Sequence, residues 1–145
     1  MAPELIATRV KDLDPTNMTL RLTGKTGTRD AFLSDAGLRH LKKLAKGKLP
    51  NAYLHVRDDG EPWAKSHQIR RMRATVEAAN KAGAKIPGDC NFYSLRHTHI
   101  SRALVAGVNI QVIAENTGTS VRMIEKHYGK FTATDRRAML NRVGV

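Results

Sequence analysis

Arg96 is the first residue whose position local rules do not explain. In a helix predicted to begin at Ser94, it shares a face with Ile100 and Leu104, and this apolar face is expected to point inward. A guanidinium there is costly unless an anion meets it, because an unpaired buried charge is strongly destabilising. Two interpretations stay open: a structural ion pair with a carboxylate, or a bidentate clamp on a phosphate, for which the planar guanidinium is suited.

Tyr128 lies on a second apolar stripe, together with Val121 and Ile124. Taken alone, this pattern favours an ordinary, half-buried core tyrosine. A phenol is almost entirely protonated at neutral pH. It becomes a useful nucleophile only where nearby cations stabilise the phenolate or a base removes its proton. The hypothesis of a nucleophilic Tyr128 therefore requires other cations at the same place.

Lys25 and the histidines are weaker candidates for chemistry. Lys25 stands at the tip of a predicted hairpin, where most lysines are merely solvated; its alternative role is that of general acid, since a mobile hairpin can deliver an ammonium to a leaving oxygen. His97, His99 and His127 invite a metal interpretation, but His97 and His99 are expected to face different ways on one helix, and no His-Glu-x-x-His pattern occurs. We therefore predict no metal site and no cofactor, with His97 packing against the wall of the site.

A small antiparallel sheet near the N-terminus should position Lys25. Residues 18–22 alternate as a strand does, after a turn signal at Asp14-Pro15, and a second strand is predicted around residues 29–33. Ser34 is a predicted N-cap for a helix that ends near Gly47.

The second half of the chain is predicted to be mostly helical. A helix over 69–83 carries the apolar stripe Ile69, Met72, Val76, Ala79 and Gly83. Further helices are predicted from Ser94 to Gly107, from the N-cap Asn109 to Gly118, from Ser120 to Tyr128, and over an amphipathic segment 132–143 that contains Met139, Leu140 and Val143.

The charge of the chain indicates a polyanionic partner. Of the 145 residues, 25 are Lys or Arg and 13 are Asp or Glu, which gives a net charge of +12. A nucleic acid is the usual partner for such an excess; an anionic membrane surface, a ribosomal scaffold or plain solubility would also account for it. Candidates for backbone phosphate contacts, each of which could instead be an ordinary solvated residue, are Arg70, Arg71, Arg73, Arg102 and Arg122.

The composition also restricts the compartment. Cys90 is the only cysteine, so an intrachain disulfide and a thiolate zinc cluster are both excluded, and a reducing, cytosolic compartment is expected. Residues 1–20 have no apolar h-region, and no run approaches the roughly 18 apolar residues of a membrane span.

Several segments together resemble the C-terminal signature of the tyrosine recombinases, the phage integrase family. They are residues 91–101 (NFYSLRHTHIS), Gly107-Val108 and residues 118–128 (GTSVRMIEKHY). Arg96 and Tyr128 are 32 residues apart, and Thr119 to Tyr128 is nine, as in that family. Upstream, residues 4–14 resemble the segment after the family's first arginine, and Lys25 falls where its hairpin lysine falls. The match covers nearly the whole chain.

The resemblance implies an α+β, mainly helical fold, in which a small N-terminal antiparallel β-sheet with its hairpin packs on a helical body. It implies a metal-free phosphoryl transfer on double-stranded DNA, without ATP. Tyr128 would attack the scissile phosphate to form a 3′-phosphotyrosine, Lys25 would protonate the 5′-oxygen, and Arg96 would hold the non-bridging oxygens. Other recombinase protomers are expected partners on DNA, in the cytoplasm and nucleoid of a bacterium or from a phage.

Three positions depart from the family pattern. The first arginine precedes the acidic residue, here Glu4, by three positions, where this sequence has Met1. Tyr93 replaces a usual His or Lys, and its phenol can still donate a hydrogen bond to phosphate. Thr119 replaces a usual His or Trp, and we favour it as the N-cap of the following helix over a phosphate contact. The loss of the arginine threatens activity most.

The abrupt start suggests a domain cut from a longer protein. Residues 3–8 read as the tail of a helix, so we expect residues 1–145 to be a single catalytic domain, truncated at its N-terminus and without the N-terminal core-binding domain of the family. The leading alternative is not an enzyme: residues 110–128 also read as a helix-turn-helix, which would leave Arg96 and Lys25 without a role. A third possibility is a decayed integrase that binds DNA without cutting it.

Overall fold

The computed structural model describes residues 2–25 and 27–129, and the predicted segment 132–143 lies outside them. The described fold is α+β and mainly helical, as predicted, with one three-stranded antiparallel sheet. The elements in chain order are α1 (Ala2–Ile6), a 3-10 turn (Val10–Asp12), β1 (Leu13–Asp14), β2 (Thr19–Gly24), β3 (Gly27–Phe32), α2 (Asp35–Ala45), α3 (Lys65–Lys81), α4 (Phe92–Val105), α5 (Ile110–Thr117) and α6 (121–129).

The chain divides into two compact units, one ending at Tyr93 and one beginning at Ser94. Each unit has its own buried cluster of side chains. The sheet belongs to the first unit, and α5 and α6 belong to the second.

The predicted hairpin is confirmed in the first unit. β2 pairs antiparallel with β3 in a register that sets Gly24 opposite Gly27, so Lys25 lies in the two-residue connection between the strands. β1, which was not predicted, adds a short third strand through the pair Leu13 and Leu20. The predicted turn at Asp14 is also confirmed. The Asp14 carboxylate accepts hydrogen bonds from the N–H groups of Thr16 and Asn17, at 2.9 and 3.0 Å.

The core of the first unit forms between the sheet, α2 and the loop around Leu54. Its buried residues are Leu13, Leu20, Leu22, Leu41 and Leu54. Helix α2 begins as predicted, because the Ser34 hydroxyl accepts a hydrogen bond from the N–H of Gly37 at 3.2 Å.

The predicted apolar stripe of α3 is partly wrong. Val76 is buried, but Ile69 is 69% exposed, and its neighbour Gln68 is only 9% exposed. The buried line therefore runs through residues 68, 72 and 76, one position before Ile69. The packing of the unit decides which of two adjacent faces turns inward, and here it buries a glutamine in preference to an isoleucine.

Helices α4, α5 and α6 surround the core of the second unit, which contains Ile100, Leu104, Ile113, Ala114, Ile124 and Tyr128. Helix α4 begins two residues before the predicted Ser94, because the Asn91 side chain accepts a hydrogen bond from the N–H of Tyr93 at 2.8 Å. The predicted boundaries of α5 hold: Asn109 accepts from the N–H of Gln111, and Gly118 closes the helix with a φ of +65°. None of the described helices is long and apolar enough to cross a membrane.

Candidate active site

Arg96 lies half-buried in α4 and is held by the end of α5. Its Nη1 donates a hydrogen bond to the backbone carbonyl of Thr117, the last residue of α5, at 2.5 Å. A cation at this position is favourable, because the C-terminal carbonyls of a helix have no partner within it and carry the negative end of its dipole. A guanidinium has five N–H donors, so this contact and a contact with phosphate are compatible.

Tyr128 lies in α6 and is 7% exposed. Its ring belongs to the core of the second unit, against Ile124 and with Val121 packed beside them, which confirms the predicted apolar stripe. Its hydroxyl forms a short hydrogen bond with Nδ1 of His97, and the centroids of the two rings are 5.5 Å apart. The phenol is therefore a core residue whose polar end meets an imidazole.

The second unit thus brings Tyr128 into contact with His97, the residue next to Arg96 in the chain. Arg96 and His97 are consecutive in α4, and each reaches towards a different later helix, the guanidinium to α5 and the imidazole to the tyrosine of α6. An imidazole bonded to a phenol is a pair in which the proton can move from oxygen to nitrogen. The sequence interpretation placed His97 at the wall of the site and missed this direct contact.

The prediction that Thr119 caps α6 is wrong. Ser120 does so, since its hydroxyl accepts a hydrogen bond from the N–H of Met123 at 3.2 Å. An N-cap side chain must bond the N–H two or three residues on, and α6 begins at residue 121, so the cap falls on Ser120. Thr119 instead donates its backbone N–H to the carbonyl of Ala114 at 2.9 Å and helps to close α5.

Glu4 and Lys25 both belong to the hairpin region of the first unit. Glu4 forms a two-pronged ion pair with Arg29 of β3, at 2.8 and 3.2 Å, and both side chains are largely buried. A Cβ atom at Gly24 would overlap the Glu4 carboxylate, so the carboxylate lies directly over the backbone beside Lys25. Lys25 itself is exposed. Glu4, considered from sequence as a supporting residue of the site, thus anchors the strand, and its partner Arg29 was not anticipated.

The remaining candidates are exposed. Tyr93, in the first turn of α4, is 60% exposed. The arginines considered for phosphate contacts are all exposed, three on α3, one on α4 and one on α6: Arg70, Arg71, Arg73, Arg102 and Arg122. Within the described residues, no three His, Cys, Asp or Glu side chains are grouped closely enough to hold a metal ion.

Comparison with known proteins gives one relative by sequence and several by structure. No family model matches the chain. The integrase of Salmonella phage P22 is 32% identical over 99 residues, which are 66% of this chain and 26% of that integrase.

Among solved structures, the XerA recombinase has a TM-score of 0.70 at 21% identity, over 97% of this chain and 52% of that one. The Tn1549 transposon integrase, in complex with transposon right end DNA, has a TM-score of 0.80 at 20% identity, over all of this chain and 55% of that one. The same integrase with circular intermediate DNA has a TM-score of 0.76 at 18% identity, over 96% of this chain and 54% of that one. The chain therefore spans about a quarter of the curated relative and about half of the solved chains.

Proposed function

We propose, from its similarity to a phage integrase and from a fold like those of the XerA recombinase and the Tn1549 integrase, that this chain belongs to the tyrosine recombinase family. The proposed activity is site-specific recombination of double-stranded DNA. Strands would be cut and rejoined through a covalent 3′-phosphotyrosine on Tyr128. Residues 1–145 would act as a catalytic domain in the cytoplasm and nucleoid, together with other protomers assembled on the DNA.

The observation that carries the proposal is the hydrogen bond between the Tyr128 hydroxyl and His97 Nδ1, one residue from Arg96. A phenol needs a base or nearby cations to act as a nucleophile, and this pair supplies the base. A buried environment also strengthens electrostatic interactions with any phosphate that enters it.

The proposed phosphoryl transfer requires neither a metal ion nor a nucleotide cofactor. The Tyr128 oxygen attacks phosphorus, its proton passes to His97, and the bond from phosphorus to the 5′-oxygen breaks. Lys25 gives a proton to that oxygen, and Arg96 stabilises the charge on the non-bridging oxygens. Attack by a 5′-hydroxyl on the phosphotyrosine reverses these steps and joins the strands, so the energy of the phosphodiester is conserved.

A suicide substrate tests the proposal. A pool of duplexes of randomised sequence, each nicked close to a possible scissile phosphate, releases a short fragment after cutting and thereby traps the covalent complex. We expect a protein–DNA adduct that survives denaturing electrophoresis and maps to Tyr128 by mass spectrometry. Tyr128→Phe should form none while it retains DNA binding, and an adduct at another residue would overturn the assignment.

A second candidate is a non-catalytic DNA-binding protein with the same fold, either a decayed integrase or a helix-turn-helix regulator. The observation in its favour is that Tyr128 is only 7% exposed. Binding of duplex DNA without any adduct, in a protein extended upstream to include an arginine before Glu4, would favour this alternative.

A further inference from the structure

A cavity of about 460 Å³ lies beside the N-terminal half of α3, entirely within the first unit. Such a volume is within the range of about 300–1,000 Å³ that is typical of small-ligand sites. We refer to it as the α3 notch. It is lined by the tight turn after Val56 and by the first two turns of the helix, chiefly through Arg57, Asp58, Trp63, His67, Arg70 and Arg71.

The cations of the notch are partly neutralised by two carboxylates from the turn. Arg71 forms an ion pair with Asp58 at 2.5 Å, with side chains 60% and 87% exposed. Arg57 pairs with Asp59 at 2.9 Å. Arg70 forms no ion pair with a carboxylate among residues 2–25 and 27–129. With three arginines and two aspartates, the lining carries a formal net charge of +1.

The turn holds Asp58 in place beside Arg71. The N–H of Arg57 donates to the carbonyl of Glu61 at 2.8 Å, and the N–H of Gly60 donates to the carbonyl of Arg57 at 2.9 Å. Gly60 has a φ of +83°, which the turn requires and glycine tolerates. The Asp58 carboxylate is therefore presented by a closed backbone loop.

The other groups of the notch are hydrogen-bond donors or flat apolar surface. His67 Nδ1 accepts a hydrogen bond from the N–H of Ala64 at 3.3 Å, so the neutral imidazole carries its proton on Nε2. The Arg57 Nε–H group is buried with no acceptor among the described residues. Trp63 contributes an indole face and packs edge-on against His67, with ring centroids 6.5 Å apart. This combination suits an oxyanion attached to a ring whose C–H groups can pack against the indole, as a phosphate is attached to deoxyribose.

We propose that the α3 notch binds a backbone phosphate of duplex DNA through Arg70 and Arg71, and that Asp58 weakens this contact by competing for Arg71. The proposal rests on the proposed function in its choice of DNA as the partner. The guanidinium groups of two neighbouring arginines can donate hydrogen bonds to the oxygens of one phosphate. While Asp58 holds Arg71 in an ion pair, this arginine is not available to neutralise a phosphate and release its condensed counterions. Asp58 would thereby lower the affinity for arbitrary DNA. The contact between Arg71 and a phosphate would form mainly on DNA that other sites of the protein already hold in register.

The variant Asp58→Asn, which removes the carboxylate charge and keeps the size of the side chain, tests the competition. Binding of a fluorescein-labelled duplex of mixed sequence is followed by anisotropy over a series of salt concentrations. Freeing one arginine should steepen the slope of log K against log salt by about 0.9 and raise the affinity about fivefold to tenfold at ~0.1 M salt. In the background of Arg71→Gln, the substitution of Asp58 should have no such effect.

Glu77→Gln is the matched control. It changes the net charge by the same amount as Asp58→Asn, at an exposed position of α3 that lies six residues and so about 9 Å beyond Arg71 along the helix axis. Because Glu77 forms no ion pair with an arginine of the notch among the described residues, we expect less than about a twofold gain and an unchanged slope. Equal behaviour of Asp58→Asn and Glu77→Gln would overturn the inference, and so would the absence of DNA binding in every variant.

The two proposals can fail separately. A covalent adduct on Tyr128, combined with an unchanged salt slope for Asp58→Asn, would contradict the proposed competition at the notch and support the proposed recombination. A steeper salt slope without an adduct would support the proposed phosphate contact at the notch and contradict the proposed cutting activity.

Discussion

At the scale of single residues, the side chains of the candidate site also have structural roles. The Tyr128 ring fills the core of the second unit, and Arg96 caps α5. Loss of activity in a variant of either residue therefore has two possible causes, altered chemistry or altered folding. Only a substitution that keeps the packing and removes the reacting atom separates them.

Tyr128→Phe and Tyr128→Ala should differ strongly in stability. The phenylalanine keeps the buried ring and loses one hydrogen bond to His97, so we expect the free energy of unfolding to fall by about 1 kcal/mol. The alanine leaves a cavity in a closely packed core, with an expected loss of about 3–5 kcal/mol. Denaturant titrations followed by circular dichroism measure both values, and similar losses for the two variants would contradict the described burial of the ring.

At the scale of elements, the hairpin that carries Lys25 is held near its tip by α1. The Glu4–Arg29 ion pair joins α1 to β3, 25 residues further along the chain, and the carboxylate lies over the backbone of Gly24. The general acid proposed for the reaction is therefore carried by a hairpin that α1 anchors directly beside Lys25.

Two glycine substitutions should have opposite effects on stability. In Gly24→Ala, the added methyl group displaces the Glu4 carboxylate from Arg29, and we expect the protein to lose about 1 kcal/mol or more. Gly37→Ala, in the first turn of α2, meets its nearest neighbour at 3.4 Å and should stabilise the protein by about 0.4–1 kcal/mol. Melting temperatures measured side by side check the pair, and stabilisation by Gly24→Ala would show that the anchor is unimportant.

At the scale of the whole molecule, the chain combines two small hydrophobic cores with a net charge of +12. Such a charge favours attraction to DNA and works against compactness, because like charges repel one another in the folded state. The stability of the protein should therefore be sensitive to any further positive charge placed in a buried position.

His55 is such a position, because burial lowers the pKa of its imidazole below the usual 6.5, with His40 and Lys48 adding to the effect. The unfolded chain then binds a proton more readily than the folded one. The stability due to neutral His55 is complete above pH 6.5 and is lost as the pH falls from 6.5 towards the lower pKa of the folded state.

We therefore expect the free energy of unfolding to fall as the pH is lowered from neutral through 6.5, and His55→Gln to reduce this slope. Denaturant titrations at each pH provide the measurement. His99→Gln, at an exposed position of α4, is the control and should leave the slope unchanged. A slope that persists in His55→Gln would assign the acid sensitivity to other groups.

The features that could be predicted from sequence are those that depend on contacts between residues close together in the chain. The hairpin around Lys25, the cap at Ser34 and the ends of α5 at Asn109 and Gly118 depend on contacts between residues a few positions apart, so residue type and spacing were sufficient. The cap of α6 was misplaced by one position, from Ser120 to Thr119, because two adjacent hydroxyl residues offer the same chemistry and only the helix register distinguishes them.

The family resemblance, the charge and the candidate residues Arg96, Tyr128 and Lys25 were thus properties of the sequence itself. Tertiary structure alone decided that Tyr128 meets His97, 31 residues away, and that Arg96 meets the end of α5, 21 residues away. It also decided that Gln68 is buried and Ile69 exposed. The physical reason is that each of these outcomes depends on which remote surfaces come into contact, and periodicity within one helix does not contain that information.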